Sequence, residues 1–140
     1  MRETQRMNTM LFVSVGMLLG ALTAATLGLR GGAPWDEALL LGMPLGFVQA
    51  GLCLAARFPA RAAPLAPGRV VRVAVTHLSA GSVSTGAWIL AGFALARLLE
   101  RLPRYAGVAA RFQREAAGLA VAGVLIFLLA VTAHYLLIAL

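Results

Sequence analysis

His77, His134 and Cys53 have the widest chemical reach in this 140-residue sequence. Imidazole nitrogen and thiolate sulfur are ligands for zinc, copper and other soft transition metals. Their spacing shows neither an i, i+4 pair on one helix face nor a CxxC step, and no carboxylate lies near them in sequence. The preferred reading is therefore two hydrogen-bonded core histidines and a buried, inert thiol, with no metal and no cofactor. No Ser, His and Asp set, paired carboxylate or phosphate-binding glycine loop is present, so no catalytic residue is assigned and these residues are not expected to form an enzyme. No apolar run holds an acidic residue well inside it, which argues against a small proton-coupled exporter.

Two further groups could touch a ligand. Arg97, Arg101, Arg104, Arg111 and Arg114 gather between two apolar runs, where guanidinium groups would meet either anionic lipid headgroups or an anionic signal; lipid is the preferred reading. Gln49, His77, Ser84, Thr85 and His134 are polar groups within or beside long apolar segments. Each needs a partner on a neighbouring helix, and together they are the expected polar core of a helical bundle.

Composition fixes the solvent in which these groups must work. The sequence is 61% hydrophobic and 12% charged, with a mean hydropathy of +0.87, whereas charged residues make up about a quarter of a soluble domain. The net charge of +7 would suggest nucleic acid in a soluble protein. Here the arginines border apolar runs, so membrane lipid is the expected partner and nucleic acid is not. One cysteine excludes an internal disulfide.

Four apolar runs are expected to be membrane-spanning helices, in two antiparallel hairpins, at about residues 7–29, 35–56, 70–102 and 104–140. The fold class is thus all-α, a single integral membrane domain. The first run is too long for a signal peptide, and its Gly16 and Gly20 form a GxxxG step that lets another helix approach closely. Gly28, Arg30, Gly31 and Gly32 end it, and Pro34 starts the second run, whose Asp36 and Glu37 complement the helix dipole and whose Pro44 should bend it. Residues 57–72 hold four arginines with Pro59, Pro64, Pro67 and Gly68, and are expected to be an irregular aqueous link. The third run carries Thr76, His77, Ser79, Ser82, Ser84 and Thr85. His77, Gly81, Ser84 and Trp88 fall on one arc with Thr85 and Gly92 beside it, which makes this helix the expected packed centre of the bundle. Antiparallel pairing of the last two runs places His77 and His134 on the same side of the membrane.

The fourth run, Gly118 to Leu140, ends without a cap, a basic last turn or a polar tail, which predicts that Leu140 is a break within a longer protein. The layout resembles the membrane sensor domain of LytS/AlgZ-type bacterial sensor histidine kinases. The resemblance rests on the hairpin opening with MLFVSVGMLLGALTAATLGL, the Pro and Arg link, the Ser/Thr-rich third span and a last helix closing on AHYLLIAL. It implies a dimeric signal-receiving module whose last helix acts as a lever into a cytoplasmic kinase region, which in turn acts on a LytTR-type response regulator. The phosphoacceptor box PHFLFN and the ATP-binding motifs of that family are absent, so no catalytic role is carried over. A small four-helix transporter or accessory membrane subunit is the alternative.

Four spans put both termini on one side. The basic count does not choose the side: Arg2, Arg6, Arg57, Arg61, Arg69 and Arg72 face Arg30, Arg97, Arg101, Arg104, Arg111 and Arg114. Weight on the first helix and its short flanks predicts both termini in the cytoplasm, in a bacterial inner membrane. A homodimer with the last helices near the two-fold axis is expected, through Gly118, Ala122 and Gly123 of the fourth span or Gly16 and Gly20 of the first.

Overall fold

The structure is a computed structural model that describes the backbone of residues 2–63 and 68–139, and the side chains of residues 9–63 and 68–138. Pro64 and Pro67 of the link, and Leu140, lie outside the described residues. Within these bounds every element is helical: α1 (Arg2–Leu29), α2 (Trp35–Ala55), α3 (Arg57–Ala62), α4 (Val70–Leu99) and α5 (Val108–Ala139), with a single 3-10 turn at Pro103–Tyr105. The segments Thr9–Leu29, Trp35–Ala62, Val70–Leu99 and Val108–Ile138 are long and apolar enough to cross a membrane. The chain is an all-α, multi-pass membrane bundle in which α1 pairs with α2 and α4 with α5 as antiparallel hairpins.

The turns follow from local chemistry. Gly32 takes the left-handed conformation (φ 65°), which lets Ala33 N–H reach back to the Leu27 carbonyl at 3.1 Å and close the end of α1. Between the last two spans, Leu102 is extended before Pro103, as a residue preceding proline tends to be. The helix expected to begin at Arg104 therefore begins at Val108, and the one expected to run to residue 102 stops at Leu99. Glu100 bridges this break by accepting the Ala109 N–H at 3.2 Å, a donor that the start of α5 would otherwise leave unpaired.

The link needs a larger correction. Residues 57–62, expected to be irregular and in water, form the helix α3, which continues almost directly from α2 across a turn at Ala56. Pro59 sits in the first turn of α3, where a missing N–H costs nothing. Ala56 and Ala60 are buried and pack on Phe127 and Val131 of α5. Apolar small residues on one face of the link fold it back onto the bundle, a pull that counting prolines does not register.

The two hairpins are packed differently. In α1/α2 the backbones themselves touch: a Cβ on Gly42 would lie 2.6 Å from the Ala24 nitrogen, and one on Gly46 would strike Gly20. The GxxxG step of α1 is therefore spent inside the chain, with Gly16 against the Phe47 ring. In α4/α5 the glycines instead receive large side chains: Gly92 meets the Phe112 ring, Gly81 meets Phe127, and Gly123 meets Thr85 and Trp88. Four residues back along α4 from Thr85 lies Gly81, and its partner Phe127 lies four residues further along α5, as antiparallel helices in register require.

The most interior helix is α2, with Glu37, Ala38, Leu41, Gly42, Leu45, Gly46, Gln49 and Ala50 all buried. The hydroxyl-rich sequence of the third span, α4, predicts that place for it instead. Its buried arc is His77, Gly81, Thr85, Trp88, Gly92 and Ala96, while Ser79 and Ser82 lie on the outer surface with Val83 and Gly86. A hydroxyl can be satisfied by its own helix carbonyls, so a Ser-rich span does not have to be central.

Candidate functional site

Among the described residues, the buried polar groups other than Thr23 converge on one seam, where α2 and α3 of the first half meet α4 and α5 of the second. At one end, Arg111 of α5 binds Glu37 of α2 through both carboxylate oxygens, with Nε to Oε1 at 2.8 Å and Nη2 on Oε2. The Glu37 side chain is 1% exposed and that of Arg111 25%. A buried carboxylate requires such a partner, and the paired geometry of guanidinium supplies it. Beside it, Arg104 pairs with Asp36 at 2.6 Å. Arg111 also donates to the Ala106 carbonyl at 3.1 Å, tying α5 to its own preceding loop.

In the middle of the seam, Trp88 Nε1–H donates to the Leu45 carbonyl at 2.8 Å. Gln49 Nε2 donates to the Gly123 carbonyl at 3.3 Å. Glu37 to Arg111 and Gln49 to Gly123 share the same offset of 74 residues. The helices α2 and α5 therefore run parallel and in register through the membrane, although neither hairpin contains that pair.

At the far end, Tyr135 of α5 links three elements. Its hydroxyl donates to the Ala63 carbonyl at the end of α3, and it lies 2.6 Å from His77 Nε2 on α4. A carbonyl only accepts, so the Tyr135 proton is committed to Ala63 and the hydroxyl must accept from His77. This fixes the proton of a neutral His77 on Nε2 and leaves Nδ1 as a bare acceptor. The contact also brings early α4 beside late α5, with His134 adjacent to Tyr135.

The seam is incompletely paired. Gln49 Oε1, His77 Nδ1 and Thr85 Oγ1 are buried without a hydrogen-bond partner. Such atoms cost about 1–3 kcal/mol each when shut away from water. All three belong to α2 or α4, on surfaces that face the other hairpin or α5.

Among residues singled out from sequence, Gln49, His77 and Thr85 are brought into this seam. Ser84 is half-buried at its edge, and His134 is half-buried in a separate groove with Arg57 and Phe58. Of the basic cluster, Arg104 and Arg111 are committed to carboxylates across the bundle, and Arg97 lies 3.3 Å from Glu100. Arg101 and Arg114 are exposed and make no ion pair among the described residues. Cys53 lies half-buried near the end of α2, and among the described residues no three of His, Cys, Asp and Glu gather closely enough to hold a metal.

Sequence reasoning missed Tyr135 and the ion pairs that Asp36 and Glu37 make with Arg104 and Arg111. The acidic pair Asp36–Glu37 and the arginine cluster fall on the same side of the membrane, which was the available signal for the ion pairs. Nothing in the sequence singles out Tyr135, since a tyrosine near a helix end is ordinarily an interfacial anchor. No family model matches the chain, and no curated protein or solved structure matches it either.

Proposed function

We propose that the chain is a membrane-embedded signal-sensing module in which the α4/α5 hairpin shifts against a fixed α1/α2 hairpin. One observation carries this reading: the seam between the hairpins holds three buried polar atoms without partners, whereas α1 and α2 meet backbone to backbone. An arrangement that leaves about 1–3 kcal/mol unclaimed at each of several atoms has neighbours in energy that pair them. A stimulus then needs only a modest difference in affinity between two states to move α5.

In this reading α5 is the output element, as the resemblance to LytS/AlgZ-type sensor domains implies. The parent protein is a histidine kinase of the bacterial inner membrane with both termini cytoplasmic, acting on a LytTR-type response regulator. It works as a homodimer through outward-facing positions of α5 such as Gly118 and Ala122, because the GxxxG step of α1 is occupied by α2.

The test is to join the end of α5 in frame to a histidine-kinase output domain lacking its own sensor, and to measure autophosphorylation in membranes. Gln49→Leu and Thr85→Val, which remove the unpaired atoms, are expected to shift basal phosphorylation several-fold in one direction. Output that ignores every seam substitution while the fusion stays folded contradicts the proposal, as does substrate flux in liposomes, which a small transporter would show.

A further inference from the structure

Every charged group of the α2–α3–α4 link has one sign. Between residues 50 and 75 the sequence carries Arg57, Arg61, Arg69 and Arg72 and no carboxylate. Among the described residues none of the four forms an ion pair, in contrast to the other end, where Arg30, Arg97, Arg104 and Arg111 all face Asp or Glu. Beside this uncompensated charge a groove of about 500 Å³ opens between α1, α2, α3 and α5, with Arg57 and His134 contributing its polar groups and Leu11, Leu54 and Phe58 its apolar wall. The Leu11, Leu54 and Phe58 side chains are each about half exposed or more, so the apolar wall faces outward towards the lipid.

We infer that this groove is a binding site for one anionic phospholipid, with its phosphate held by Arg57 beside His134 and an acyl chain laid along Leu11, Leu54 and Phe58. The charge selects the occupant. A guanidinium at the edge of the hydrocarbon needs a counter-anion or water, and the link itself supplies no carboxylate. A phosphodiester offers the paired oxygens that guanidinium binds best, and the cytoplasmic leaflet, where this end lies under the proposed orientation, is rich in such lipids. Arg57 sits over the Phe58 ring, 4.9 Å from the centroid, and both side chains line the groove, so the stacking holds the guanidinium at its edge. Arg61, Arg69 and Arg72 add attraction over the same headgroup layer, worth about a further five-fold each in local affinity for anionic lipid. The groove lies one residue from Tyr135, whose hydroxyl ties α3 to α4, so the lipid would sit against the mobile end of the seam.

The experiment uses the full chain in phosphatidylcholine nanodiscs titrated with phosphatidylglycerol carrying a photoreactive acyl chain, read by adduct mapping and by native mass spectrometry of retained lipid. The expected result is one retained phosphatidylglycerol, adducts on the peptides containing Leu11 and Leu54–Phe58, and retention lowered about five-fold by Arg57→Gln. Arg57→Lys, which keeps the charge but loses the paired geometry and the stacking on Phe58, should fall between wild type and Arg57→Gln, and Arg101→Gln, at the other end, should hold near wild type. Glycerol phosphate added in solution should not displace the lipid; displacement would make the site one for a free phosphate and overturn the lipid assignment. Equal retention of both lipids, adducts scattered over the bundle, or symmetric chain-to-chain crosslinks filling the groove would also overturn it. If Arg57→Gln loses its helical content, the adduct map of the wild-type chain decides alone.

Discussion

The two ends of the bundle hold six arginines each and use them in opposite ways. At the Pro103 end the six are matched by Asp36, Glu37, Glu100 and Glu115, leaving a net +2; at the link and terminal end they are matched by Glu3 alone, leaving a net +5. The first end is a clasp: Arg111–Glu37 and Arg104–Asp36 join the second hairpin to α2. The second end is held by hydrogen bonds through Tyr135 and by small apolar contacts of α3. Equal counts of one residue type thus conceal a paired clasp, the proposed pivot, at one end and an uncompensated basic link at the other.

The sharpest way to break the comparison is at the pivot. Arg111→Met leaves Glu37 buried and unpaired and is expected to cost about 3–5 kcal/mol in reversible SDS unfolding. Arg61→Gln at the other end should stay within about 0.5 kcal/mol. Replacing both members of the pivot, with Glu37→Leu added to Arg111→Met, should recover most of the loss, because the isolated charge rather than the missing attraction is the main penalty.

Next in size is the contrast between glycines. Gly46→Ala drives a methyl into the Gly20 backbone and should destabilise the chain by about 1–3 kcal/mol in the same assay. Gly118→Ala, whose Cβ meets nothing within 4 Å, should be neutral or stabilising by up to about 1 kcal/mol through helix propensity. A smaller effect is expected for Tyr135→Phe, which frees Ala63 and His77 together. It should cost about 1–2 kcal/mol and raise amide exchange in α3 while leaving α1 and α2 unchanged.

Much of this architecture was legible in the sequence because lipid imposes simple rules. Spans must be long and apolar, their backbone must be helical, and their polar groups must turn inward. Helical periodicity put His77, Gly81, Ser84 and Trp88 on one arc of α4 with Thr85 and Gly92 beside it; the structure buries that arc with Thr85 and Gly92 inside it and Ser84 at its edge. What escaped depended on distance along the chain. The parallel register of α2 and α5 sets Glu37 against Arg111 and Gln49 against Gly123, and no periodicity within either helix encodes a pairing between them. The helix α3 escaped for a different reason: its prolines argue locally for a loop, while Ala56 and Ala60 gain their stabilisation only from Phe127 and Val131, which lie far away in sequence. The centrality of α2 over α4 likewise turned on glycines at 42 and 46 rather than on hydroxyls.

The proposed orientation, with both termini in the cytoplasm, can be read by labelling. With Cys53→Ala as background, an impermeant thiol reagent applied to intact cells should label Ala106→Cys and leave Ala62→Cys unlabelled until the membrane is opened; the reverse pattern would invert the topology.

The central claim is that the bundle has one fixed hairpin and one that moves. Spin-label pairs in the Cys53→Ala background test it most directly by double electron–electron resonance in lipid. A pair at Leu22 and Leu40 reports the α1/α2 hairpin, and a pair at Leu22 and Leu129 reports α5 against it; all three positions are exposed. The expected result is a single narrow distance for the first pair and a broad or two-peaked distribution for the second, which Gln49→Leu with Thr85→Val collapses to one peak. Two equally narrow distributions, both indifferent to those substitutions, would contradict the account.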